Sequence, residues 1–268
     1  MNETLAGGKL LLDRPAEAVA RVRISNPERR NALDHEILDA LAELMPRLDR
    51  GIETRCVLIT GAPPVFSAGY DIASISEESF QRDAESLVAH PFHGAMEAIA
   101  HHPWPTVAAI NGHALGGGLE LAVTCDLRIC AAGAQLGMPP AKLGLIYGHT
   151  GLRKFLDTVG LARTKELFLT GRNYDAAQAE SFGLVNEVVS DDRIGHEAVQ
   201  LAAGIAANAP LSMRGNKSAI ELLNANPELS EQQEAGLVAL RESCFASEDF
   251  REGIRAFAEK RRPDWTGR

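Results

Sequence analysis

The chain has 268 residues, 45% of them apolar, with 36 acidic against 27 basic side chains and a formal net charge of -9. That length suits one large domain or a domain with an extension, and the acidic balance argues against a nucleic-acid surface. No apolar run approaches the roughly 18–20 residues of a membrane span, and four cysteines without a C-x-x-C pair fit neither a metal cluster nor a disulfide framework.

The first residues, MNETLAGGKLLLDRP, lack the basic and apolar regions of a leader, so a cytoplasmic protein with reduced thiols is expected. Segments 9–13 and 18–25 read as strands around the turn-like Arg14-Pro15-Ala16. After a polar loop, Asp34 is placed to cap a helix over 35–48, whose apolar residues recur at 37, 38, 41, 44, 45 and 48. A strand at 55–60 leads to a second loop, a polar stretch at 73–85 and a helix over 86–100 that stops near His101-His102-Pro103. Then comes the stretch on which the chain is organised, TVAAINGHALGGGLELAVTCDLRIC, residues 106–130. It reads as strand, glycine turn, helix and strand.

Three consecutive glycines cost about 1 kcal/mol each against alanine inside a regular element. At a strand-to-helix turn they leave free N–H groups and the positive helix end facing an incoming oxygen. Glu120 lies one helical turn beyond Gly117, so its carboxylate falls on the same side as that N–H. An anion-stabilising amide beside a carboxylate can form an enolate and move a proton. The plainer readings are a tight turn and a carboxylate complementing the helix dipole.

Beyond 133 the pattern is short. Helices are expected at 151–159, 162–169 and 176–182, a strand at 184–189, and helices at 194–208, 211–223, 230–246 and 248–260. Strands often come in pairs between helices, so the residues themselves predict an α/β core with a helical C-terminal extension. Asp71 suits a helix cap, Ser67 lacks the G-x-S-x-G elbow, and His101-His102 has no partner at ligand spacing, so no metal site is expected. Neither phosphate-loop nor dinucleotide glycine spacing is present.

Residues 26–33, 66–72 (FSAGYDI), 111–122 and the tail from Ser247 to Arg261 together resemble the crotonase (enoyl-CoA hydratase/isomerase) superfamily over nearly the whole chain. The resemblance implies a superhelix of ββα repeats over 1–193 and a helical oligomerisation region over 194–268, giving a trimer or a hexamer built as a dimer of trimers. It implies an acyl-CoA substrate and no separate cofactor. The oxyanion amides would be those of Tyr70 and Gly117. Coenzyme A would meet Arg29, Arg30, Ala68 and Ile72, with Phe257 and Lys260 reaching it from a neighbouring subunit; the basic residue often found after the Asp-Ile pair is replaced by Ala73.

Hydratases of the family use two glutamates. One matches Glu120; at the other position stands Pro140, and seven residues further on stands Tyr147. This pattern resembles the methylmalonyl-CoA decarboxylase branch, in which loss of carbon dioxide creates the enolate, although that branch has a hydroxyl residue at Pro139 and histidine at Tyr70. Decarboxylation with Tyr70, Gly117, Tyr147 and Glu120 is therefore the expected reaction. The alternatives are a hydratase or isomerase relying on Glu120, and an RNA-binding relative without catalysis. Tyr147 also reads as a packed aromatic, and His149 as a solvated or structural histidine.

Overall fold

Period-two burial defines the first strands. Leu10 and Leu12 face the core opposite Ile24 and Val22, with which they pair in register. The computed structural model describes residues 2–71, 91–226 and 228–268. Strands β1 (Glu3–Leu5), β2 (Leu10–Ala16) and β3 (Val19–Ile24) form an antiparallel edge. From β3, strands β4 (Cys56–Gly61), β6 (Thr106–Ile110), β8 (Leu127–Ala131) and β11 (Glu187–Val189) continue in parallel, giving the order β1-β2-β3-β4-β6-β8-β11.

A smaller sheet takes the other strand of each turn: β5 (Val65–Ser67), β7 (His113–Leu115), β9 (Gln135–Gly137) and β10 (Asn173–Asp175), ordered β10-β9-β7-β5. β4 passes to β5, β6 to β7 and β8 to β9, so the chain winds between two sheets. This is the α/β arrangement that the resemblance implies. The three-residue strands of the smaller sheet were not expected from the sequence, because three residues cannot display an alternating pattern. The strand expected at 184–189 forms only over its last three residues, while Leu184 and Val185 are buried core.

Helix α1 (His35–Leu48) is capped by Asp34, whose side chain accepts from the Ile37 N–H at 3.0 Å. It buries Ile37, Leu38, Leu41, Leu44, Met45 and Leu48, each worth about 1.5–3 kcal/mol, and packs on α2 (His93–Ala100). Of the helix expected at 86–100, residues 91–100 lie within the described residues. Next come α3 (Gly117–Thr124), α4 (Pro140–Leu143), α5 (His149–Thr170) and α6 (Ala176–Ser181). Helix α5 is broken at Gly160, where φ is 72° and ψ 173°, between the two helices expected there.

On the opposite face of the larger sheet lies α7 (Ile194–Ala206). Its Ala198, Ala202 and Ala206, spaced by four, let the helix settle close onto Cys56, Leu58 and Val107. The last helices are α8 (Pro210–Ala225), α9 (Glu231–Ala246) and α10 (Glu248–Glu259). They leave Ile220, Leu223, Phe245, Ile254 and Phe257 exposed. Among the described residues no helix is long and apolar enough to cross a membrane.

Candidate active site

Strand register brings the key loops together. In the smaller sheet Ser67 lies beside Ala114, and Ala114 beside Leu136. Three residues beyond these stand Tyr70, Gly117 and Pro139, so three loops leave parallel strands side by side at their C-terminal ends. Such strand ends are where α/β sheets place their ligands. Pro140, buried at the start of α4, occupies the third loop.

Hydrogen bonds fix the Tyr70 loop against the loop that precedes α1. Asn31, buried, donates from Nδ2 to the carbonyls of Ala62 (2.7 Å) and Val65 (2.6 Å), and its own carbonyl accepts from Ser67 Oγ at 2.8 Å. The Leu33 N–H donates to the Gly69 carbonyl at 2.8 Å, and the Asp71 N–H to the Leu33 carbonyl at 3.1 Å. With Tyr70 bridged to Leu33 in this parallel pattern, the Tyr70 N–H points the other way. Gly117 opens α3, so its N–H has no carbonyl four residues back within the helix. Among the described residues neither N–H donates to a backbone carbonyl. A Cβ on Gly118 would meet the Ser67 carbonyl oxygen at 2.5 Å, which is why only glycine lets the helix begin so near the loop.

One turn into α3, Glu120 is buried, 5% exposed. Burial pushes its carboxyl from an ordinary 4.5 up to about 7, against the opposing pull of the Tyr147 hydrogen bond and the Lys154 charge. The Tyr147 hydroxyl donates to Glu120 Oε2, and the Tyr70 hydroxyl in turn donates to the Tyr147 oxygen at 3.3 Å. Burial raises both phenols above their ordinary range, so they remain neutral donors. A Cβ on Gly151 would fall 2.6 Å from Glu120 Oε1 and 2.7 Å from Tyr147 Cε1; glycine there lets the first turn of α5 close over the pair. The arrangement can hold a proton on a carboxyl near neutral pH beside two amides suited to an oxyanion.

The structure therefore brings together Tyr70, Gly117, Glu120 and Tyr147. Ala68 is half-buried in the same loop, and Arg29 and Arg30 are exposed on the neighbouring one. Ile72 lies outside the described residues. Phe257 (88% exposed) and Lys260 sit at the end of α10 and do not line the cavity beside Glu120. Asp71 is buried, and the helix it would cap falls outside the described residues. His149 is exposed at the start of α5, and His101 ends α2. Among the described residues no group of three or more His, Cys, Asp or Glu is placed to hold a metal.

Sequence reasoning missed the phenol of Tyr70, having used only its amide, together with Gly151, Lys154 and the cavity residues Phe92, Met96 and Thr124. Nothing in local spacing marks these, because they converge from separate helices. A second carboxylate, Glu97, borders the cavity; it is half-buried and lies 3.2 Å from His101 Nδ1.

Residues 14–268 match the family model described as enoyl-CoA hydratase/isomerase. A probable enoyl-CoA hydratase of Bacillus subtilis is 38% identical over 251 residues, covering 93% of this chain and 95% of that protein. Enoyl-CoA hydratase domain-containing protein 2, mitochondrial, of Mus musculus is 36% identical over 264 residues, covering 95% of this chain and 86% of the relative. Among solved structures, an enoyl-CoA hydratase/isomerase family protein from Hyphomonas neptunium superposes with a TM-score of 0.89 at 35% identity, covering 97% of this chain and 98% of that one.

Proposed function

From the premise that this chain belongs to the enoyl-CoA hydratase/isomerase family, we propose that it acts on an enoyl-CoA thioester with Glu120 as its single acid–base group. The observation that carries this reading is the Glu120 carboxyl itself: buried, raised to about 7, and one helical turn from the Gly117 amide. The thioester oxygen accepts from the N–H groups of Tyr70 and Gly117. Negative charge developing there is stabilised by several kcal/mol, about 3–4 for one good donor.

In hydration, Glu120 takes a proton from water as the oxygen adds to the β-carbon, then returns it to the α-carbon as the enolate collapses. In isomerisation it takes the α-proton of a 3-enoyl thioester and returns it to the γ-carbon. Both sequences balance with one carboxyl, and a group titrating near neutral pH is suited to both halves. Tyr147 orients the carboxyl through its hydroxyl. Arg29, Arg30, Ala68 and Ile72 contact coenzyme A, and Phe257 and Lys260 complete that site from a neighbouring copy in a trimer or hexamer. The curated relatives bear hydratase names, which supports this reading over the decarboxylase first expected.

A second reading, decarboxylation of a malonyl-type CoA ester such as methylmalonyl-CoA, is favoured by Pro140 in the third loop and by the relay of neutral phenols from Tyr70 through Tyr147 to Glu120. There, loss of carbon dioxide makes the enolate and the base is dispensable. Crotonyl-CoA, 3-hexenoyl-CoA and methylmalonyl-CoA, incubated separately with the purified protein, decide between them. Hydration or conjugation of an enoyl thioester supports the first reading. Carbon dioxide released from methylmalonyl-CoA, with the enoyl esters untouched, overturns it in favour of the second.

A further inference from the structure

The side chain of Tyr70 lies against the glycine turn. A Cβ built on Gly117 would meet the Tyr70 ring at 3.0 Å (Cε1), so the phenol covers the glycine that carries one proposed oxyanion amide. The ring is held edge-on against Phe92, centroids 4.6 Å apart at 76°, and its hydroxyl is tied to Tyr147. It thus spans from the glycine turn to the Glu120–Tyr147 pair. The cavity it borders, also lined by Phe92, Met96 and Thr124, measures about 40 Å³, room for a few waters.

We propose that the Tyr70 ring is the specificity-determining wall of the acyl site and restricts this protein to short acyl chains. The inference rests on the acyl-CoA reading above and holds for either reaction. A thioester held at the Gly117 amide directs its acyl chain along the face of this ring. A chain of a few carbons fits beside it. A longer one has to displace the ring from Phe92 and break the hydroxyl–hydroxyl bond, costing the Tyr70 hydroxyl its Tyr147 partner.

Binding of unreactive butyryl-, octanoyl- and dodecanoyl-CoA, measured by calorimetry, tests the wall without requiring turnover. Wild-type protein is expected to bind butyryl-CoA tighter than dodecanoyl-CoA by about tenfold or more, the scale on which a hydrophobic pocket discriminates. Tyr70→Ala, or Tyr70→Leu should the alanine variant fail to fold, should abolish that preference. Tyr70→Phe, which keeps the ring, should retain it. Equal affinities across the series in wild-type protein, or an unchanged preference in Tyr70→Ala and Tyr70→Leu, would overturn the proposal while leaving the acyl-CoA reading intact. Absence of binding to every member by wild-type protein would sink both.

Discussion

Glu120 and Glu252 are both nearly buried carboxylates, and their partners are opposite in kind. Glu120 is met by a neutral phenol, and burial raises it to about 7. Glu252 in α10 accepts from Arg261 Nη1 at 2.5 Å and from the Asp264 N–H at 2.9 Å, with Arg255 at 3.0 Å. The Arg261 hydrogen bond, followed by that of the Asp264 amide, draws Glu252 down to about 2. Cationic partners hold the proton off and fasten the chain after α10, residues 261–264, to the helix, while burial beside a hydroxyl leaves it exchangeable at neutral pH. Burial dominates at Glu120 and arginine hydrogen bonds dominate at Glu252, and that difference separates the carboxylate suited to chemistry from the one that braces the fold.

Removing the exchangeable proton should give the largest effect. Glu120→Gln is expected to lower kcat on an enoyl-CoA by about a thousandfold, within the range of general acid–base catalysis. A loss below tenfold would favour decarboxylation. The same variant tests the cost of burying the charge. Because the folded carboxyl titrates near 7 and the ordinary value is 4.5, the favourable neutral form is fully present below 4.5 and is lost as the pH rises through 7. Denaturant titrations should therefore find Glu120→Gln more stable than wild type at pH 8, by on the order of 3 kcal/mol at 1.36 kcal/mol per pKa unit. The gap should close below pH 4.5. A gap that does not change with pH would mean that Glu120 is not titrating in a buried site.

Tyr147→Phe makes the site less like that of Glu252 by removing the hydroxyl that donates to the carboxylate. The hydrogen bond lowers the Glu120 pKa, so its loss should raise that value and move the rising limb of the pH–kcat profile to higher pH. The rate at pH 7 should fall by about ten- to a hundredfold, the worth of a hydrogen bond to a charged group. A profile that stays in place would show that the hydroxyl does not set the carboxyl's titration.

Legibility followed the range of the physics. Glu120 was readable beside Gly117 because a helix places residues three apart on one face, and Asp34 was readable as a cap for the same local reason. The loss of a carboxylate at Pro140 was visible through a resemblance of motifs. The pairing of Ser67 with Ala114, which puts Tyr70 and Gly117 abreast, depends on strands too short to leave a periodic trace. The Tyr70–Tyr147 contact joins residues 77 apart, so their convergence is decided by packing. Nothing local distinguishes Gly151 from any glycine that opens a helix, until Glu120 is found against it.

The smallest expected effect belongs to the bracing carboxylate. Glu252→Gln keeps an acceptor for the Asp264 N–H and removes the charge that faces Arg261 and Arg255. Its folded value lies below the ordinary 4.5, so its stabilising contribution is present above 4.5 and is lost as the pH falls toward 2. Thermal melts should find the variant a few degrees less stable at neutral pH, with the difference vanishing on acidification. The midpoint of the pH–kcat profile should stay where Glu120 sets it. The two glutamine variants thus depart from wild type in opposite directions, one gaining stability at high pH and the other losing it. Were both to shift the catalytic midpoint, α10 and the glycine turn would have to be coupled, and the division between a chemical and a bracing carboxylate would fail.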